Sequence, residues 1–202
     1  LEGVSPGFPA WLEERRAKAL INANEGFQRR ELVRATARLV RPPFLLIVSG
    51  QPDAGQQEFA AALARELRLP LTDELTGHEP AVRFLSHRRC CNEQAVSGII
   101  ADRRSVWVIE KPVFGEDSEQ LLQLRAGFPP QRVSYLELPP ISWQELRSHP
   151  GQPLSFAEAA RLYVHTGGHP GFLRELLELR RNRGTGAGIP LQLPQRVRAA
   201  YQ

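Results

Sequence analysis

From Phe44 to Val48 the chain reads FLLIV, an unbroken apolar run closed by Ser49 and Gly50. Such a run marks a strand buried on both faces of a parallel sheet. After a short loop, QEFAAALARELR sets Phe59, Ala62, Leu63 and Leu67 on one side of a helix. A second run, SVWVIEK at Ser105–Lys111, reads as another central strand that ends in an acid, and QRVSYLEL alternates as a third. Between these, DSEQLLQLRAG predicts a short helix with Asp117 or Ser118 as N-cap and Gly127 beyond its end. The stretch from Leu69 to Arg104 is less regular: a short strand, a turn at LTGHEP and a helix from about Asn92 to Asp102 are expected.

Upstream, Ala10 to Val40 predicts two helices, AWLEERRAKALINA and RRELVRATARLV. The second places Leu32, Val33, Ala35, Ala37, Leu39 and Val40 toward one side and stops at Arg41-Pro42-Pro43, because proline blocks helix continuation and restricts the residue before it. After Pro153 the pattern becomes helical. Ser155 with Glu158 three positions on is a capping box, and two helices are broken at Gly167-Gly168-His169-Pro170. RGTGAGIP reads as a loop, and LPQRVRAAYQ as the start of a helix expected to continue into more protein. The expected architecture is α/β: a parallel sheet flanked by helices with a small C-terminal helical lid. The expected divisions are an N-terminal helical segment at 1–43, an α/β core at 44–150, and the lid with the start of a following helical region at 151–202.

The chemistry lies in the loop. Gly50 to Gly55 has the outline G-x-x-x-x-G between strand and helix. In a phosphate loop, glycines let backbone N–H groups and the helix N-terminus surround phosphate oxygens, a lysine reaches the β- and γ-phosphates, and a hydroxyl holds magnesium. Here those two side chains are Gln56 and Gln57, and Asp53 adds a negative charge inside the loop. Each lost charge-assisted contact costs about 1.5–3 kcal/mol, so efficient ATP hydrolysis is not expected. Glu110, at the tip of its strand, is positioned to hold magnesium, but the following residue is Lys111 rather than a second acid. Lys111 is either a cation lent to a bound phosphate or an ordinary surface lysine.

Five stretches stand in the same order as in the STAND branch of AAA+ ATPases, signal-transduction NTPases of which many are attached to transcription regulators. They are GFQRREL at 26–32, LLIVSGQPDAGQQ at 45–57, VWVIEKPVFGEDSEQLLQL at 106–124, LELPPISWQEL at 136–146 and HTGGHPGFLRELLEL at 165–179. The closing LPQRVRAAY also resembles the segment that follows their ATPase core. The resemblance implies a P-loop NTPase-like core. It places Arg30 near the adenine side of ATP or ADP, Gly50 to Gln57 (with Gly50, Asp53, Gly55, Gln56 and Gln57) around the phosphates, and Glu110 at the metal. It makes Gly167, Gly168 and Pro170 the turn of the helical lid. The chain departs from the family at the missing lysine, hydroxyl and second acid, and at Arg29, which replaces a usual glycine. A strand with a sensor-type polar residue, usual between the acidic strand and LELPPIS, has no clear space.

The expectation is therefore a catalytically degenerate AAA+/STAND-like module, a regulatory or assembly subunit with weak or absent nucleotide binding, whose partners are proteins, including other AAA+-type subunits. The alternatives are a DNA-associated subunit similar to inactive clamp-loader subunits, and an unconventional ATPase.

Composition adjusts this only slightly. The 202 residues suit one α/β core with a helical appendage. No apolar run approaches the roughly 18 residues that cross a bilayer, and the N-terminal LEGVSPGFPAWLEERRAK lacks the order of a secretory signal. A cytoplasmic location and no membrane partner are expected. Cys90 and Cys91 are adjacent, which gives no disulfide framework, and with His87 they make a poor zinc signature, so no metal is expected. The formal charge is +4, and apart from Lys18 and Lys111 every basic residue is arginine, a bias compatible with a nucleic-acid surface or with ordinary solvated helix faces.

Overall fold

The structure is a computed structural model that describes residues 29–51, 54–75, 77, 79–86, 93–112, 117–147 and 154–183. The expected helix at 10–23, Asp53, the His87, Cys90 and Cys91 group, most of the 183–190 loop and the segment 193–202 lie outside the described residues. Two compact units are present, Gln28–Pro139 and a second that includes the residues from Pro140 onward.

The first unit holds a five-stranded parallel sheet. Its strands are β1 (Phe44–Gly50), β2 (Leu71–Thr72), β3 (Val82–Leu85), β4 (Val106–Pro112) and β5 (Val133–Glu137), in the order β2-β3-β4-β1-β5. β1 is interior and pairs on both sides, so its apolar run has no solvent face; Leu45, Ile47 and Val48 are completely buried. Alternation sorts the side chains into two layers. Leu46, Val48, Val108 and Phe84 face helices α1 (Arg30–Leu39) and α2 (Gln56–Leu67), while Leu45, Ile47, Trp107 and Ile109 face α3 (Glu93–Ala101) and α4 (Glu119–Gly127). Each fully buried Leu or Ile stabilises the unit by about 1.5–3 kcal/mol.

Local differences from the sequence reading have physical causes. On α1 the buried positions are Val33, Thr36, Ala37 and Val40, whereas Ala35 and Leu39 are exposed. The spacing i, i+3, i+4, i+7 therefore selects a threonine, which is accommodated because its hydroxyl donates to the Leu32 carbonyl at 2.8 Å. Gly127 is the last residue of α4, not a residue beyond it, and a Cβ there would lie 2.5 Å from Ile100; the glycine lets α4 approach α3. Ser118 is the N-cap, accepting from the Leu121 N–H. The strand missing from the sequence reading is β3, which precedes the acidic strand β4 in the chain.

β3 was obscured by Arg83, a charge inside an apolar strand. Only 2% of Arg83 is exposed. Its guanidinium donates to Asp102 at 3.1 Å, the Ser105 hydroxyl at 3.0 Å and the Glu74 carbonyl at 2.8 Å, and lies 5.6 Å from the Trp107 ring centroid. The segments after β2, after α3 and at the start of β4 are tied to that one cation, which satisfies the charge that burial would otherwise penalise.

The second unit contains α5 (Trp143–Arg147), α6 (Phe156–Thr166) and α7 (Pro170–Arg183) around Ile141, Leu146, Leu162, Leu173 and Leu176. The capping box at Ser155 and Glu158 is formed. Ser142 and Glu145 make the same reciprocal bonds at the start of α5, Ser142 N–H donating to the Glu145 carboxylate at 2.9 Å.

Candidate functional site

The carboxyl end of β1 leads into the loop, and the loop into α2. Gly55 stands at the N-cap with φ 87°, a left-handed conformation that suits glycine, and no side chain caps the helix there. Gln56, at the position of the usual lysine, does not point outward. It is 4% exposed, and its amide Nε2 donates to the Gln51 carbonyl at 3.1 Å. The same carbonyl accepts from the Ala54 N–H at 2.9 Å. A Cβ on Gly50 would lie 2.9 Å from that amide nitrogen and 3.0 Å from the Ala54 Cβ. Gly50, Ala54 and Gln56 thus pack together, and a neutral amide braces the loop from within.

Gln57 is half-buried on the first turn of α2. Glu110 is half-buried on β4 with Val48 as its register partner, in the layer that faces α2. Lys111 belongs to the opposite layer, the one that faces α4. Its ammonium contacts Asp117, whose carboxylate also accepts from Tyr135 at 3.2 Å and Arg125 at 3.4 Å. The Lys111 hydrogen bond holds the Asp117 carboxyl below the usual carboxylate range, while burial, then Asp117, pushes the Tyr135 phenol up. The lysine offered by the sequence as a phosphate ligand is therefore engaged by a carboxylate on the far side of the sheet.

Arg29 explains the usual glycine at its position. Its backbone has φ 38° and ψ 48°, a left-handed conformation that costs a side-chain-bearing residue about 1–2 kcal/mol. The buried guanidinium donates to the Pro139 carbonyl at the exit of β5, which ties the start of α1 to the end of the sheet. Arg30 is exposed at the first position of α1.

Gly168 and Pro170 lie in the helical unit. Gly167 closes α6 with φ 57° and donates to the Tyr163 carbonyl at 2.8 Å; Gly168 has φ 78° and accepts from the Ile141 N–H at 2.8 Å; Pro170 opens α7. The turn is pinned to the Pro140-Ile141 segment, which explains why LPPIS and GGHP occur in one chain.

These residues do not fit a magnesium-bound nucleotide held in the usual way. The helix N-terminus and glycine turn remain, but among the described loop residues there is no cation for the phosphates and no hydroxyl for the metal. Among the described residues, no three His, Cys, Asp or Glu side chains are grouped as a metal site requires, and no helix is long and apolar enough to cross a membrane.

Comparison with known proteins bears on the scaffold. No protein-family model matches the chain, and no curated protein sequence does. Among solved structures, the chain is similar to the RuvB Holliday junction branch migration motor of Thermotoga maritima. The TM-score is 0.52 at 19% identity, covering 89% of this chain and 65% of that one. A mutant of that RuvB gives 0.53 at 19% identity, covering 88% and 66%. The chain has a P-loop NTPase-like fold, a five-stranded parallel sheet flanked by helices. At this identity the likeness carries the fold alone, and the chain spans about two thirds of the RuvB chain's length. Within the P-loop NTPase-like fold, the strand-loop-helix from Phe44 to Leu67 is the element that forms a phosphate loop elsewhere, and here Gln56 faces inward.

The reading of residue types anticipated the replaced lysine but missed the Gln51 carbonyl as its partner, since a backbone acceptor leaves no trace in the sequence. The second capping box was legible as S-x-x-E at Ser142 and Glu145.

Proposed function

We propose that the chain is a catalytically degenerate AAA+/STAND-like module, with weak or absent nucleotide binding, that works through protein contacts as a regulatory or assembly subunit. The observation that carries this reading is Gln56, buried and hydrogen-bonded to Gln51 where a phosphate-binding lysine would stand. A charge-assisted contact to phosphate is worth about 1.5–3 kcal/mol, and a neutral amide already committed to a carbonyl supplies little of it. The engagement of Lys111 by Asp117 supports the same reading, because it occupies the one lysine among the described residues.

In this reading the glycine turn and the Gly168-Pro170 corner are kept as architecture. Glycine and proline set backbone geometry there, whereas the side chains that do chemistry have been replaced. Gly50, Gly55, Gln56, Gln57, Glu110 and Asp53 mark where a nucleotide would bind, with Arg30 as its outer contact; ATP or ADP would be held by backbone amides alone. The partners are proteins, other AAA+-type subunits among them. The test is magnesium-dependent ATP turnover by the native chain and by Glu110→Ala. The expected result is no turnover above buffer in either. Turnover that disappears in Glu110→Ala would establish an unconventional ATPase and overturn the proposal.

A further inference from the structure

We propose that the exposed face of α1 binds the phosphodiester backbone of duplex DNA without reading its sequence. The face turned away from Val33, Thr36 and Ala37 carries Arg30, Arg34 and Arg38 in a line, with Arg41 just past the helix, all exposed. Among the described residues of α1 the acid beside these four arginines is Glu31, in a chain whose whole formal charge is +4. Solvated helix faces gain from acids and bases alternating at i, i+4. Here the i, i+4 neighbours Arg30–Arg34 and Arg34–Arg38 are like charges, which gain nothing from each other and suit a polyanion.

The geometry suits phosphates. Arg30 to Arg38 spans about 12 Å at the helical rise of 1.5 Å per residue. Over that length one strand of a duplex presents about three to four phosphates. At the far end, the Arg41 guanidinium is held against the helix terminus by the Ala37 carbonyl at 2.9 Å and the Val40 carbonyl at 2.7 Å. Arg132 donates to the Arg41 carbonyl at 2.9 Å, which fixes the chain at the end of the line. Guanidinium is the group best matched to phosphate oxygens. The arrangement contacts backbone and offers no base-reading element, so recognition is electrostatic. It is independent of the phosphate loop: variants of Gln56 and Gln57 test that reading, and variants of α1 test this one.

The experiment is fluorescence anisotropy with a labelled mixed-sequence duplex of 20 base pairs, from 50 to 200 mM salt. Four phosphate contacts at a slope of about −0.9 each predict that the native chain loses about 150-fold in affinity across that range. Arg34→Ala/Arg38→Ala/Arg41→Ala, left with one contact, should lose only about 3.5-fold across the range and bind more weakly at 50 mM. Arg34→Ala/Arg38→Ala, which leaves the helix terminus intact, should fall between, and circular dichroism should show both variants folded. The control Arg103→Ala/Arg147→Ala/Arg161→Ala removes the same charge from other exposed positions and should keep the native slope. The proposal is overturned if the native chain does not bind at 50 mM, if the control loses as much as the α1 variants, or if poly-glutamate of equal charge binds more tightly than the duplex, since that would mark an acidic protein surface as the partner.

Discussion

Adjacent glycines in the helical unit offer a comparison in which the same substitution meets two different surroundings. Both Gly167 and Gly168 have positive φ, 57° and 78°. Alanine at either position therefore bears the left-handed penalty of about 1–2 kcal/mol, offset by about 0.4–1 kcal/mol because the unfolded chain is less free. At Gly167 nothing lies within 4 Å of an added Cβ, so the net cost stays near 1 kcal/mol. At Gly168 the Cβ would stand 2.4 Å from the Ile141 carbonyl oxygen, a backbone atom that cannot swing aside, and 3.2 Å from Pro140 and Tyr163. Overpacking of this kind adds about 1–3 kcal/mol, and displacing Ile141 also breaks its 2.8 Å bond to the Gly168 carbonyl, worth about 1 kcal/mol more. Gly168→Ala should thus cost about 2–4 kcal/mol more than Gly167→Ala. Native-state amide exchange at Leu173, whose N–H is bonded to His169, reads the helical unit separately from the sheet. Equal exchange free energies for the two variants would refute the claim that the corner is fixed by docking onto Ile141.

Arg83→Leu should destabilise the α/β unit by about 3–5 kcal/mol in urea, because it strands the Asp102 charge, the buried Ser105 hydroxyl and the Glu74 carbonyl at once; a loss below 1 kcal/mol would show the network to be dispensable. The Asp117 carboxyl is lowered first by its Lys111 hydrogen bond, and Glu158 first by its Ser155 hydroxyl bond, then by the Ser155 backbone and by Arg180. In both cases the unfolded chain binds the proton more readily, so their stability is present above the ordinary carboxylate range and is lost as pH falls through the lowered values; Asp117→Asn should flatten the acid limb of an unfolding-versus-pH curve. Gln56→Lys/Gln57→Thr should raise ATP affinity about 10- to 150-fold, the equivalent of one charge-assisted contact. No change in equilibrium dialysis would mean that the loop is blocked by something other than these side chains.

How far the fold could be read from the sequence depended on how uniform each environment is. β1 and β4 stood out because both faces are buried and the sequence is apolar over Phe44 to Val48 and Val106 to Ile109. β3 did not, since four residues with an arginine in the second position match neither template, and only the partners of that arginine, 9 to 22 residues away, make it a core residue. Thr36 and Leu39 exchanged roles for a related reason: helical phase, rather than hydrophobicity, decides which position faces α2. In the loop, the replaced lysine and hydroxyl were visible as residue types, and so was the glycine turn. The inward turn of Gln56 was not, because it depends on a backbone carbonyl. Arg29 was visible as an oddity, and its left-handed backbone and bond to Pro139 supply the reason.

The most direct test of the central proposal, that this P-loop NTPase-like scaffold lacks a working nucleotide site, is calorimetric titration of the chain with ATP and with ADP, each with and without magnesium. The account predicts weak or undetectable heats that magnesium does not enhance, since no hydroxyl stands at Gln57 and no cation at Gln56. Tight binding that requires magnesium would contradict it.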